Sequence, residues 1–381
     1  MFILSKEQSD IQKAAREFAE GEFRPIAREL DATCHFDDRL WQKAADLGFL
    51  GVFLPEKYEG LGLGYIEQCL ILEEFARVDL GITHAIESTF FGTQLIDLIG
   101  TPEQKEKYLP PICNGQIKMG MAITEPDAGS DVSAVKTEAC RHGDEYIING
   151  SKVFITNCKR ADFLVVLCVT DPQNPKVHQR FSTIIVETDR PGYEAAPYHA
   201  KLSLRSSETG DAVFKNVRVP ASNLLGEENR GFYNIMAFFD RSRVQVAALS
   251  VGTAQGALDK AIAHVRQRKQ FGRPLAALQL VQGKIAEMAT RTEVSRSICY
   301  QAASRIDTGK ADPALSSMAK WYCAEVAVKV ADEAIQLHGG YGILEEYDVA
   351  HYWRNAKVLE IFEGSKEVEK IIIAKKLLGK F

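Results

Sequence analysis

A stretch of strand and turn sequence, enclosed on both sides by helical sequence, most constrains how this chain can fold. It runs from about residue 118 to residue 219 and contains short runs rich in Val, Ile, Phe and Thr, separated by Pro, Asn and Gly. Phe163 to Val169 and Phe181 to Glu187 are two of these runs, and Asn149-Gly150 between two others predicts a β-hairpin. The pattern predicts an antiparallel β domain of about a hundred residues, a size typical of a domain.

The sequence before this stretch is predicted to be helical. Tyr65 to Arg77 has a helical period. The segment Ile82 to Ile99 is apolar on most sides, with Glu87 in its middle, and predicts one central helix. Thr101-Pro102 reads as an N-cap with Pro at the first helical position, and Pro110-Pro111 predicts the end of that helix.

Helical sequence resumes at about residue 231 and continues to the end. The period predicts long helices over Arg241 to Arg268, Leu278 to Thr308 and Pro313 to Leu337. Gly252 and Gly256 in the first of these allow close packing against another helix. The predicted fold class is α+β and mostly α, with domain boundaries at residues 1–119, 120–229 and 230–381.

Composition excludes several classes of protein. Hydrophobic residues make up 46% and charged residues 25%, which is typical of a globular protein. A net charge of -5 without a dense Lys/Arg block argues against nucleic-acid binding. The eight cysteines show neither a Cys-x-x-Cys pair nor a zinc-finger spacing, so neither a metal site nor a disulfide framework is predicted. No apolar run is long enough for a secretory leader or a membrane span, and the expected location is the cytoplasm.

Glu363 is the first candidate catalytic residue. It follows the apolar run Val358-Leu359-Glu360-Ile361-Phe362 and precedes Gly364-Ser365, so its carboxylate could lie on a bend where water is scarce. Desolvation raises the pKa of such a carboxylate and makes it a better proton acceptor near neutral pH. On these residues alone, a solvated Glu at a helix end with a Gly stop is the preferred interpretation.

Further motifs each allow a structural and a functional interpretation. Residues 121–131 are rich in turn formers and either connect two elements or wrap a planar polar ligand. Phe154 fits either the core or a stacking wall for a heteroaromatic ring. The basic cluster at residues 267–274 complements a helix dipole or binds a pyrophosphate, and three glycines in residues 336–342 permit close backbone approach. Asp240 and Arg243 share one helix face, where they can pair with each other.

The order and spacing of five motifs resemble the acyl-CoA dehydrogenases, flavoproteins that oxidise acyl-CoA thioesters, from the first helix to the last. The motifs are AITEPDAGSD at residues 122–131, NGSK with FITN at 149–157, RKQFG at 268–272, QLHGGYG at 336–342 and FEGS at 362–365. The resemblance implies an N-terminal helical domain, a middle antiparallel β-barrel domain and a C-terminal four-helix bundle. It also implies a homotetramer with one FAD per subunit.

The resemblance assigns roles to particular residues. Those implied to contact the flavin end of FAD are Ala122, Thr124, Ser130, Phe154 and Thr156. Those implied to bind its pyrophosphate and adenine across a subunit interface are Arg268, Phe271, Gln279, Gln336 and Gly340, with Ser365 and Glu367 closing that side. Those implied to hold acyl-CoA are Ser130, Asp240, Arg243 and Gly364. No metal is implied.

Glu363 matches the catalytic base of the short- and medium-chain branches of that family. The implied reaction transfers an α hydrogen as a proton to Glu363, while a β hydrogen leaves as hydride to flavin N5. Hydrogen bonds to the thioester oxygen stabilise the enolate-like charge, and the implied donors are the backbone N–H of the base and a ribityl hydroxyl of FAD. The resemblance implies that the electrons then pass to an electron-transferring flavoprotein.

The acyl group is predicted from the segment Ile82 to Ile99, which corresponds to the floor of the acyl pocket in the family. Glu87 with Phe90 and Phe91 would close that pocket, which favours a short, branched or cyclic acyl group in fatty acid or alicyclic acid degradation. Glu87 is then either bonded within the pocket floor or an additional acid/base for a cyclohexane- or cyclohexene-carboxyl-CoA. Two rival functions are an acyl-CoA oxidase and a non-catalytic acyl-CoA-binding flavoprotein.

Three short segments depart from the family pattern. Asn157-Cys158 replaces a frequent Asn-Gly, Asn355 replaces an Asp before Ala356, and Ser203 replaces a Gly. None removes a catalytic role.

Overall fold

The computed structural model describes residues 3–379, and its first third is helical. Ser5 caps the first helix through a capping box, and Phe18 and Phe23 pack against Phe75 in the core of this region. The helices are α1 (Lys6–Phe18), α2 (Ala27–Thr33), α3 (Asp38–Asp46), α4 (Tyr65–Val78), α5 (Leu80–Glu87), α6 (Thr93–Ile99) and α7 (Pro102–Cys113), with a π-helical turn at Ala19–Phe23.

The prediction of one helix over Ile82 to Ile99 is wrong, because the segment forms α5 and α6 with a turn between them. Ser88 and Thr89 donate their hydroxyls to the carbonyls of Ala85 and Ile86, at 3.1 and 2.7 Å, and this local bonding competes with continuation of the helix. The break makes Glu87 the last residue of α5.

The prediction that Pro110-Pro111 ends its helix is also wrong, since α7 continues to Cys113. The carbonyls of both prolines still accept the closing bonds, from the N–H groups of Asn114 and Gln116. Ile112 and Cys113 lie buried in the core beyond the prolines. Burial of this last turn offsets the amide bonds that proline cannot donate. The N-cap prediction at Thr101 is confirmed by its capping box with Gln104.

The middle region is a β-rich layer, as predicted, although not purely antiparallel. Its strands are β1 (Met119–Ala122), β2 (Glu138–His142), β3 (Glu145–Thr156), β4 (Phe163–Val169), β5 (Phe181–Glu187), β6 (Tyr193–Pro197), β7 (Thr209–Pro220) and β8 (Leu224–Leu225). The strand order is β6-β7-β3-β2-β4-β5-β8, with β1 added beside β4 in parallel. The two runs predicted as β4 and β5 are confirmed to the residue.

The predicted hairpin at Asn149-Gly150 is wrong, because β3 runs straight through it. Gly150 instead lies at a register irregularity against β7, with φ +150, where an added Cβ would come within 2.7 Å of the Thr137 backbone. Asn149 exchanges side-chain bonds with Asn216 across the strands. The tight turn is at Gly143, between β2 and β3, where φ is +63. Asn149-Gly150 therefore forms a bulge in place of a turn. A bulge and a tight turn can both require a positive φ, which glycine adopts readily.

The C-terminal region is a bundle of long helices, as predicted. A short hairpin of β9 (Lys269–Gln270) and β10 (Arg273–Pro274) separates its first two helices. Gly252 and Gly256 lie against α4, where an added Cβ would come within 2.2 Å of the carbonyl oxygens of Glu73 and Arg77. The predicted close helix packing at these glycines is confirmed. The helices are α8 (Gly231–Gln267), α9 (Gln279–Asp307), α10 (Pro313–His338), α11 (Val349–Leu359) and α12 (Lys366–Leu378).

The described part of the chain holds neither cross-links nor a metal cluster. All eight cysteines are free, and six of them are buried. Within residues 3–379, no group of three or more His, Cys, Asp or Glu side chains is arranged to hold a metal ion. Over the same residues, no helix combines the length and apolar character needed to cross a membrane.

A charged cluster links α2, the start of α5 and α11. His351 Nε2 lies 2.7 Å from Asp79, its Nδ1 lies 3.4 Å from Asp31, and Arg354 donates to Asp31 at 2.7 Å. Burial alone would lower the pKa of His351, but the charges of Asp79 and Asp31 outweigh it and raise the pKa to about 10.

This raised pKa predicts a pH-dependent contribution to stability. The folded state binds the His351 proton more tightly than the unfolded chain, so the contribution is complete below about pH 6.5 and is lost as pH rises towards 10. We expect the difference in free energy of unfolding between the wild-type protein and His351→Gln to be largest near pH 6 and to shrink between pH 7 and 10, as measured by urea unfolding. A difference that grew with pH would contradict this assignment.

Candidate functional site

Glu363 lies on a bend between α11 and α12 that the backbone holds in an unusual conformation. Glu363 has φ +54 and Gly364 has φ +101, so two consecutive residues adopt positive φ. Such strain persists only where surrounding contacts hold it, and it is most frequent at functional sites. Ser242 on α8 donates its hydroxyl to Glu363 Oε2 at 2.6 Å, and Arg243 Nε lies 3.4 Å from the Glu363 carbonyl oxygen.

The surroundings of Glu363 make it a weaker acid than an exposed carboxyl. Removal from water raises its pKa, and this effect outweighs the Ser242 hydrogen bond and the charges of Arg243 and Lys320, which lower it. Glu369 adds a smaller upward contribution. A carboxylate with a raised pKa and a single hydroxyl donor is a better proton acceptor than an exposed carboxylate.

Glu87 is a second carboxyl close to this bend. Its exposed fraction is 2%, and its Oε1 has no hydrogen-bond partner among the described residues. His84, one helical turn earlier on α5, contacts the Phe362 ring at 5.6 Å between centroids. Burial raises the pKa of Glu87 well above its ordinary range, and the charge of Glu363 raises it further. Both effects disfavour the charged form of the Glu87 carboxyl.

Aromatic side chains from α8 and the α5–α6 turn lie beside these carboxyls. Phe91 packs edge to face on Phe238, with centroids 5.2 Å apart, and Phe238 contacts Phe239 at 5.7 Å. The guanidinium of Arg243 lies 5.4 Å above the Phe239 ring.

The structure brings together three of the four residues implied to hold acyl-CoA. Arg243 lies 3.7 Å from Asp240 on α8, as the i, i+3 spacing predicts. Gly364 lies against Arg243, since a Cβ added to it would come within 3.4 Å of that guanidinium. Ser130 is exposed in the loop after β1.

The residues implied to contact the flavin end of FAD lie on β1, the loop after it, and β3. Ala122 is buried at the end of β1, and the Thr124 carbonyl accepts a hydrogen bond from Val153 N at 2.9 Å. Phe154 follows directly, with φ +59 and 68% of its surface exposed, at a register irregularity of β3 against β7. The irregularity turns this aromatic face out of the sheet towards solvent. Thr156 ends β3.

The residues implied to bind pyrophosphate and adenine lie at the other end of the bundle. Phe271 is 88% exposed in a two-residue turn with Gly272, and both have positive φ, as a type I′ turn requires. The Arg268 guanidinium lies 5.4 Å from the Tyr341 ring, next to Gly340. Gln279 and Gln336 are exposed at the start of α9 and near the end of α10.

These far residues are not brought to the Glu363 bend within one chain. Arg268 is the C-cap of α8, about 37 Å along the helix axis from Arg243. Ser365 and Glu367 instead lie beside the bend, where Ser365 caps α12. A single chain therefore holds the assigned FAD residues in two separate groups.

Comparison with known proteins identifies the family of this chain. Family models for the N-terminal, middle and C-terminal domains of acyl-CoA dehydrogenase match residues 5–116, 120–217 and 229–378. The chain belongs to the acyl-CoA dehydrogenase family. It is an oxidoreductase acting on the CH–CH bonds of acyl-CoA compounds, and its cofactor is FAD.

Two curated relatives and one solved structure show how close the similarity is. The chain is 39% identical to the 3-(aryl)acrylate reductase of Clostridium sporogenes, over 97% of each chain. It is 38% identical to the caffeyl-CoA reductase-Etf complex subunit CarC of Acetobacterium woodii, over 99% of each. The structure of butyryl-CoA dehydrogenase from Megasphaera elsdenii matches with a TM-score of 0.96 and 36% identity, over 99% of this chain and 100% of that one.

The residues present in this acyl-CoA dehydrogenase fit FAD. Phe154, exposed and at positive φ, offers a face for a planar ring system near Thr156. Strained backbone that exposes an aromatic ring is more frequent at functional sites than in structural strands. Arg268 offers a cation for the pyrophosphate. The wide separation of the two groups fits the subunit-interface site that the sequence resemblance implies.

Sequence reasoning missed four residues around the acyl-CoA dehydrogenase site: His84, Ser242, Lys320 and Glu369. Burial of Lys320 could have been predicted, because it shares a helix face with the apolar residues Cys323, Ala324 and Ala327. The structure shows that Lys320 is fully buried. Ser242 lies between Asp240 and Arg243 but has no pattern of its own. The departures cause no disruption: Asn355 is buried and accepts a bond from Leu204 N at 2.9 Å.

Proposed function

We propose that this protein catalyses the α,β-dehydrogenation of a short, branched or cyclic acyl-CoA, with Glu363 as the base. The observation that carries the proposal is the Glu363 carboxylate itself, held at a strained bend by one hydroxyl donor, with its pKa raised by removal from water. This combination favours proton transfer over permanent ion pairing.

Glu363 would take the α hydrogen of the thioester as a proton, leaving the electron pair on carbon. Bound FAD supplies the acceptor for the β hydrogen, which leaves as hydride, so that the products are an enoyl-CoA and reduced FAD. Arg243 and Lys320, close to the bend, would offset part of the negative charge in this region. Asp240, Arg243, Gly364 and Ser130 would bind the CoA thioester.

The test is anaerobic bleaching of the flavin absorbance by a panel of linear, branched, cyclic and dicarboxyl CoA esters. We expect butyryl-CoA or a cyclic ester to bleach the flavin, and long-chain esters to react poorly, because Phe90, Phe91 and Phe238 leave little room. Absence of bleaching with every ester would overturn the proposal. Rapid reoxidation by oxygen with release of peroxide would favour an oxidase instead.

We further propose an electron-transferring flavoprotein as the electron acceptor and a homotetramer as the assembly, in the cytoplasm. The relative from Acetobacterium woodii is a subunit of a reductase-Etf complex, which supports the first proposal. Phe271 and Leu280, exposed to 88% and 85% near the FAD residues of the far group, support the second. Reduction of an electron-transferring flavoprotein by the acyl-CoA-reduced enzyme tests the first proposal. The mass of the protein in solution tests the second.

The Oε1 of Glu87, which is buried without a hydrogen-bond partner among the described residues, favours a second candidate, a cyclohexane- or cyclohexene-carboxyl-CoA as substrate. A buried carboxyl whose Oε1 has no hydrogen-bond partner among the described residues costs stability unless a ligand completes its hydrogen bonds. In this candidate Glu87 is an additional acid/base or donor toward the ring. The names of two relatives, a 3-(aryl)acrylate reductase and a subunit of a caffeyl-CoA reductase-Etf complex, refer to ring-bearing compounds, which supports this candidate.

Glu87→Gln tests this candidate. Gln keeps the shape and a donor but cannot exchange a proton, so we expect bleaching by butyryl-CoA to change by less than about threefold. Bleaching by cyclohexanecarboxyl-CoA should fall by about 10²-fold, in the range typical of a lost acid/base group. Equal effects on both substrates would assign Glu87 to the pocket floor.

A further inference from the structure

Two buried cations hold the bend that carries Glu363. Lys320 on α10 has no exposed surface and donates a hydrogen bond to the Gly364 carbonyl. Arg243 on α8 lies with Nε 3.4 Å from the Glu363 carbonyl. The carbonyls of two consecutive strained residues are thus contacted by charged donors from two different helices.

Glu369 on α12 completes this arrangement. It is fully buried, and its Oε1 lies 3.0 Å from Arg243 Nε. A Cβ at Gly364 would lie 2.0 Å from the same oxygen, so Glu369 also fills the space behind the bend. Burial of these three charges costs desolvation free energy, and the attraction of Glu369 to Arg243 and Lys320 offsets part of that cost.

We propose that Lys320 and Glu369 are positioning residues for Glu363, which fix its bend from α10 and α12 and balance the charge behind it. The inference rests on the proposed function of Glu363 as base, and it assigns roles to two residues that do not touch the reacting atoms. The bend directs the Glu363 carboxylate and its backbone N–H, so its orientation decides whether both can meet the thioester.

The charged and titratable groups that act on Glu363 come from four helices. They are Arg243 on α8, Lys320 on α10, Glu369 on α12 and Glu87 on α5, while Ser242 on α8 adds the neutral hydroxyl donor. Glu360 at the end of α11 acts on Lys320. Lys320 lowers the pKa of Glu363, whereas Glu369 raises it. Removal of the Lys320 charge should therefore raise the pKa of Glu363, and removal of the Glu369 charge should lower it.

The experiment measures flavin bleaching by saturating butyryl-CoA as a function of pH in the FAD-loaded enzyme. The bleaching rate should increase with pH through a midpoint. Lys320→Met should move this midpoint to higher pH and Glu369→Gln to lower pH, each by about one pH unit, as loss of a nearby charge does. The double variant should return the midpoint towards that of the wild-type protein. Lys329→Met, an exposed lysine on the same helix, is the matched control and should leave the profile unchanged.

The outcomes separate positioning from general damage. Reduced plateau rates with unmoved midpoints in both single variants would overturn the proposal, since simple destabilisation lowers rates at every pH. If Lys320→Met fails to fold, Glu369→Gln and the double variant still decide it. The role of Glu363 as base is tested separately, by comparing bleaching in the wild-type protein and in Glu363→Gln. Failure of that test is therefore distinguishable from failure of the positioning role of Lys320 and Glu369.

Discussion

Glu363→Gln should reduce the rate of flavin bleaching by acyl-CoA by about 10²- to 10⁴-fold, the range expected when a general base is lost. Gln keeps the volume and accepts the Ser242 hydrogen bond, so folding and FAD content should be unchanged. The loss should appear in the rate at saturating substrate, because the carboxylate acts in proton removal. Stopped-flow absorbance with butyryl-CoA measures it directly.

The pH dependence of the wild-type rate provides a second measure of the same group. Glu363 accepts a proton only when ionised, and its pKa is raised above the ordinary range, so the rate should rise with pH through a midpoint above that of an exposed carboxyl. The surface variant Glu287→Gln on α9 is the control, with a side chain that is 74% exposed. Near-full activity of Glu363→Gln would remove Glu363 from the mechanism.

Gly252→Ala should lower the free energy of unfolding by about 2–3 kcal/mol, the upper part of the range for overpacking. Its Cβ would lie 2.2 Å from the Glu73 carbonyl oxygen and 2.9 Å from Ala76 Cβ, so rigid backbone on α4 has to move. Helix propensity alone would favour Ala by about 1 kcal/mol, so a net loss of stability would have to come from the clash. Urea unfolding with an unchanged slope measures it.

Gly283→Ala is the matched control for this substitution. Gly283 also lies inside a long helix, α9, but nothing lies within 4 Å of its added Cβ. The same exchange there should be neutral or stabilising by up to about 1 kcal/mol. Equal destabilisation at both positions would show that the α4–α8 contact is not the cause.

The local patterns predicted the elements that tertiary contacts leave alone. The runs of β4 and β5, the N-cap at Thr101 and the close packing at Gly252 follow from period, capping chemistry and side-chain size. Asn149-Gly150 and Pro110-Pro111 misled, because a bulge against β7 and burial of the last turn of α7 outweighed the usual turn and break signals.

The position of Glu363 was predictable from the sequence, whereas its surroundings were decided by the tertiary structure. Motif order alone determined the family, the three-part fold and the position of the candidate base, since these depend on residue types at fixed spacing along the chain. Only the folded structure brought Ser242, Lys320 and Glu369 to that base from three helices. It also placed the buried Glu87 near the base, with an Oε1 that has no hydrogen-bond partner among residues 3–379. The pKa of a carboxyl depends on desolvation and on charges within a few ångströms, and those neighbours are distant in sequence.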